Sequence, residues 1–156
     1  MALDPSELKS LGAPDLEIAG LTLWIHGRQF PDASDYWDGN WLRVTAYATS
    51  PDSRVRTHGS VLHLSEVVQL MRGCEQLYET LEGRAGLDCM EPNLGVELTA
   101  RGGGHIGVRV SITPDHLGES HEFLGEIDQT YIPGVIAACR RILERLPVRE
   151  FEKAPA

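Results

Sequence analysis

The chain of 156 residues is poor in the features that most often announce a chemistry. Its three cysteines, Cys74, Cys89 and Cys139, are odd in number and lack CxxC spacing, which excludes a CxxC redox or zinc motif. Two of them fall on the apolar faces of expected helices and read as reduced core residues of a cytosolic protein. No apolar run approaches the ~20 residues that cross a bilayer. The start, Met1 to Glu7, has neither the basic nor the apolar region of a secretory signal. Basic residues are scarce: 14 Lys and Arg against 23 Asp and Glu leave a net charge of −9. That argues against nucleic acid or an anionic membrane as a direct partner, because phosphate binding needs clustered cations. It suits a soluble protein, or one whose partner is basic. Gly102-Gly103-Gly104 lacks the GK[ST] ending of a phosphate loop and reads as a hairpin connection. There is no GxSxG and no HExxH. The expectation is therefore no catalytic residue, no bound metal and no cofactor.

What is present is a clear alternation of elements. Apolar alternation begins at Leu16 and Ile18, slips phase at Ala19-Gly20, and resumes at Leu21, Leu23 and Ile25. A glycine at a phase slip suggests a bulge or sharp bend between two strand pieces. Trp41 to Ala48 and Arg54 to Leu62 are further strands. Helical spacing from about Ser65 to Glu82 follows, with Gly83 as a stop. A short strand near Gly86 to Met90 precedes the alternating pair Leu94 to Thr99 and Ile106 to Ile112, then a strand over His121 to Asp128. A last helix spans about Tyr131 to Leu146, with Pro133 in its first turn. Each strand has one apolar and one polar face. The pattern predicts an α+β fold: a single antiparallel sheet of about six or seven strands with two helices packed on one face, in the order β-β-β-α-β-β-β-α. The expected divisions are an arm over 1–14, one domain over 15–147 and a loosely ordered tail over 148–156. No internal repeat is visible.

The richest stretch is Phe30 to Leu42, with two of the three tryptophans and the aspartates Asp32, Asp35 and Asp38. A loop between strands is usually small and polar; this one also carries large rings. It either folds back as an anchor or presents a binding surface. Asp32, Asp35, Asp38 and Asn40 offer oxygens for calcium, but their spacing does not match an EF-hand, and carboxylates that cap turns explain them better. Asp115-His116 and His121-Glu122 flank one loop without a third ligand at defined spacing. The polar sheet face is expected to collect Trp24, His26, Trp41, Arg43, Tyr47, Arg54, Arg56, His58, Glu97 and Arg109. Trp, Tyr and Arg are enriched at interface hot spots. That face is either a docking surface, or covered by the arm or the aromatic loop, or the contact of a homodimer.

Tyr36-Trp37-Asp38-Gly39-Asn40-Trp41-Leu42 after the Phe30-Pro31 turn, together with Glu91-Pro92-Asn93-Leu94, resembles the signature of the WapI-type immunity proteins, small bacterial proteins linked to a polymorphic toxin system. The resemblance runs over roughly residues 15 to 146 and implies a non-enzymatic role: binding a cognate toxin domain and blocking it. It implies no catalytic residues. The expected function is a cytoplasmic protein-binding module whose partner is a toxin domain. Its candidate contacts are Asp32, Asp35, Tyr36, Trp37, Asp38, Trp24, Arg43 and Tyr47. The alternative is a small-ligand-binding or enzymatic domain with its site between the aromatic loop and the sheet. A structural or self-associating domain is the third reading.

Overall fold

The computed structural model describes residues 5–150. Helix α1 (Pro5–Ser10) leads into strands β1 (Leu16–Ile18) and β2 (Leu21–Arg28). The single-turn helix α2 (Tyr36–Gly39) separates β2 from β3 (Trp41–Thr49), and β4 (Arg54–His63) passes directly into helix α3 (Leu64–Thr80). Strands β5 (Arg84–Asp88), β6 (Leu94–Ala100), β7 (His105–Ile112) and β8 (Glu122–Asp128) follow, then a 3-10 turn and helix α4 (Ile132–Arg145). Of the expected arm, residues 1–4 lie outside the described residues, as do residues 151–156 of the expected tail.

The α+β class holds, but the single sheet does not. The strands form two separate four-stranded sheets, ordered β1-β2-β3-β4 and β5-β6-β7-β8, with every neighbouring pair antiparallel. Alternation reports that one face of a strand is buried; it does not report what buries it. One sheet under two helices and two sheets sharing a core leave the same trace in sequence. The two halves also share a plan, a four-stranded meander followed by a helix, although no repeat shows in their residues.

The expected placement of both helices on one face is likewise corrected. Helix α3 lies along β5 and against α4, while α4 reaches back to β1. The helix that closes each half thus covers the first strand of the other. Close approach is permitted by Gly73 on α3: a Cβ there would sit 2.9 Å from the Ala85 Cβ on β5. At the other helix, Arg145 pairs with Asp15 at 2.9 Å and donates to the Ile25 carbonyl at 3.1 Å.

The core is one apolar cluster drawn from both sheets and both helices. Leu94, Val96 and Leu98 face it from β6, and Ile106, Val108, Val110 and Ile112 from β7. The helical stripes Val67, Leu70, Cys74, Leu77 and Val135, Cys139, Ile142 meet them. Each such side chain contributes roughly 1.5–3 kcal/mol on burial. Helix α3 ends three residues before Gly83, with Leu81 in the left-handed region at φ 54° and its N–H on the Leu77 carbonyl at 2.8 Å. No helix among the described residues is long and apolar enough to cross a membrane.

Candidate functional site

The aromatic stretch forms a tight knot at one end of the first sheet. Asp35 caps α2: its backbone is extended (φ −76°, ψ 161°) and its carboxylate accepts from the Asp38 N–H at 2.9 Å. Gly39 closes the turn where no side chain fits, since a Cβ would stand 2.7 Å from the Ala33 carbonyl oxygen.

Asn40 is fully buried and entirely committed. Its Nδ2 donates to the carbonyls of Tyr36 at 2.6 Å and Arg149 at 2.8 Å, while its Oδ1 accepts from the Arg149 N–H at 2.8 Å. Arg28 adds a bond to the Gly39 carbonyl at 2.6 Å and another to the Pro147 carbonyl, and Arg149 reaches the Ala33 carbonyl. Burial, and then the neighbouring Arg149 charge, lower the Arg28 pKa. The turn therefore straps the segment after α4 to the start of β3.

Beneath it lies His63, fully buried at the junction of β4 and α3. Its Nδ1 accepts from the Ser65 N–H at 3.3 Å, and its Nε2 then donates to the Trp37 carbonyl at 3.1 Å. The rings of Trp41, Tyr36 and Trp37 surround it at centroid distances of 5.0, 5.5 and 5.7 Å. Tyr36 and Trp37 meet edge to face at 5.4 Å. Glu66 completes the junction. Its carboxylate accepts from the His63 and Met90 N–H groups, both at 2.7 Å. Burial raises its pKa, partly offset by those two bonds.

The expected contact residues therefore separate. Asp32, Asp35, Trp37 and Asp38 are exposed, Trp37 by 51%. Tyr36 is half-buried among the rings. Trp24 and Tyr47 are buried, and Trp24 Nε1 donates to the Gly12 carbonyl at 3.0 Å, so the arm crosses that part of the sheet. Arg43 is exposed on the outer face of the first sheet, with His26, Arg54, Arg56 and His58. Glu97 and Arg109 do not share that face. They lie opposite each other on β6 and β7 of the second sheet, where Arg84 pairs with Glu97 and Arg109 with Glu122.

Asn40 cannot serve as a calcium ligand, because both ends of its amide are taken. Among the described residues no three His, Cys, Asp or Glu side chains converge in a metal-binding group. The thiols are far from nucleophilic: burial pushes Cys74 and Cys139 up to about 12 and Cys89 higher still, with Glu66 adding to the effect. Residue patterns did not single out Arg28, Arg149 or the His63–Glu66 pair. His63-x-x-Glu66 before an apolar helix does carry the spacing of a capping box, with His in place of Ser or Thr. In the second motif, Asn93 plays a part like that of Asn40, donating to the Thr113 carbonyl at 2.9 Å and accepting on its own carbonyl from the Thr113 N–H at 2.9 Å.

These features define a small α+β protein whose signature residues hold a backbone clasp and leave one tryptophan outside it. The chain belongs to the Immunity protein WapI-like family, whose model matches residues 14–147. No curated protein matches the chain.

Proposed function

We propose that this protein binds and neutralises a toxin domain in the cytoplasm, and that the acidic aromatic turn is its docking tip. The observation that carries this reading is Trp37. It is half-exposed, yet its carbonyl is held by His63 and its ring is packed by Tyr36 and His63. A large ring presented in a fixed position loses little freedom on binding and makes a strong anchor. Asp32 and Asp38 stand near it without an ion-pair partner among the described residues. With a net charge of −9, they favour rapid association with a basic surface. Phe30 and Met90, about half-exposed, extend the apolar part of the tip.

The rival reading, a ligand or catalytic site between the turn and the sheet, is less favoured because the buried His63 sits there with the rings of Trp41, Tyr36 and Trp37 at centroid distances of 5.0, 5.5 and 5.7 Å. The test is growth protection against toxin domains encoded beside the gene, followed by calorimetry on any protective pair. Protection by the native chain and a ~30-fold weaker complex for Trp37→Ala are expected. Failure to protect against any such domain sinks the immunity role. Protection with unchanged affinity for Trp37→Ala moves the interface elsewhere.

A further inference from the structure

The first sheet carries a second surface of opposite charge. Arg43 on β3, and Arg54, Arg56 and His58 on β4, stand on its outer face beside His26 on β2. Four arginines elsewhere, Arg84, Arg109, Arg140 and Arg145, each meet a carboxylate. Among the described residues, no carboxylate reaches ion-pair distance of Arg43, Arg54 or Arg56. In a chain with nine excess negative charges, one sheet face thus carries three arginines without an ion pair, of which Arg43 and Arg56 line a common depression.

The patch is also shaped. Two register shifts, between Ile25 and Gly27 and between Leu42 and Arg43, disturb the ladder there. Gly27 and Gly59 flank this point at φ 142° and 129°, where side chains are rarely accommodated. Gly27 pairs with Arg43, and Gly59 with Val44. Gly59, with no side chain, lines an open depression of about 370 Å³. Its polar lining is His26, Gln29, Arg43, Thr45, Arg56 and His58, with no carboxylate among them. Arg43 Nη2 lies 3.9 Å from the Cβ position of Gly27, so its guanidinium extends across the glycine. Bulges of this kind re-aim side chains and gather near functional sites.

We infer that this depression is a docking site for an acidic segment of a protein partner, with Arg43 and Arg56 as carboxylate forks. Charge complementarity selects an anion, and the guanidinium geometry suits paired carboxylate oxygens. A nucleic acid is disfavoured, because the rest of the chain would repel an extended polyanion over a Debye length. The inference stands apart from the immunity reading and is tested without a toxin. A short acetylated oligoglutamate is titrated into the full-length chain and followed by NMR. Inorganic phosphate and a length-matched single-stranded oligonucleotide form parallel arms.

The expected result is saturable shifts at Arg43, Arg56 and His58, with phosphate and oligonucleotide at least about tenfold weaker. Arg43→Gln with Arg56→Gln should weaken the peptide ~10-fold or more, and Arg140→Gln should not. Four results overturn the inference: no saturable shift at these residues, shifts that persist in the double variant, equal binding of phosphate, or tighter binding of the oligonucleotide. All three arginines are exposed, so these variants retain the core.

Discussion

Asn40 and Arg149 are joined amide to backbone at both ends: the Asn40 Oδ1 accepts from the Arg149 N–H, and its Nδ2 donates to the Arg149 carbonyl, each at 2.8 Å. A side chain here does what a neighbouring strand would do, fixing the chain after α4 without extending a sheet. Replacing it with Ala leaves buried backbone groups without partners. Asn40→Ala should cost about 1–3 kcal/mol and speed proteolysis after Pro147. A urea midpoint equal to that of the native chain would contradict the clasp.

The two tryptophans of the turn should differ. Trp41 is half-buried at the start of β3 with its ring edge-on to His63, whereas Trp37 is 51% exposed. Trp41→Ala should lose roughly 2–4 kcal/mol, and Trp37→Ala less than about 1 kcal/mol. Denaturation midpoints measured side by side check this ordering.

Glu66 couples the α3 cap to pH. Its folded pKa is raised above the ordinary 4.5 by burial. The folded state therefore holds this proton more tightly than the unfolded chain does. That contribution is complete below the unfolded value and is lost as pH rises through the folded one. Gln does not titrate, and its amide sets a donor against one of the two N–H groups. Glu66→Gln should destabilise by about 1–3 kcal/mol, with the deficit largest on the acid side and shrinking toward neutral pH. A deficit that grows with pH would reverse the assignment.

Gly73 sets two effects against each other. Alanine in a helix interior gains up to ~1 kcal/mol over glycine. Here its Cβ would meet the Ala85 Cβ at 2.9 Å and Cα at 3.3 Å, and neither atom can rotate away. Gly73→Ala should lower stability by about 1 kcal/mol. Adding Ala85→Gly should recover part of that loss, which a double-mutant cycle measures.

Leu81 stands in the left-handed region at φ 54° with an exposed side chain. Leu81→Gly relieves ~1–2 kcal/mol of backbone strain at the cost of a freer unfolded chain. A small net rise in melting temperature is expected. A clear fall would show that the Leu81 side chain supports the helix end.

The strand pair β6–β7 and both long helices were legible, because alternation and helical spacing depend only on neighbouring residues. Trp41 as the first residue of a strand was legible for the same reason. The division into two sheets was not, since Val96 looks the same whether a helix or another sheet covers it. Nor was the clasp: Asn40 finds its partner 109 positions away. Asn40 read as a loop residue or a metal ligand because no local pattern marks an amide that will end up buried. The unpaired arginines of β3 and β4 were visible as residues. Their isolation from Glu97 became clear only with the second sheet.

The crossed packing of the two halves bears on how the chain reaches its native state. As it leaves the ribosome, α3 emerges before β5, the strand it will lie along, and β1 must wait for α4. Asp15 and Arg145, which meet at the last of these contacts, are separated by 130 positions. Closure over that span is entropically slow and comes late. Partly made chains would keep apolar helix faces exposed until the final helix returns, so folding becomes an event of the whole chain, with aggregation of incomplete chains as its characteristic failure.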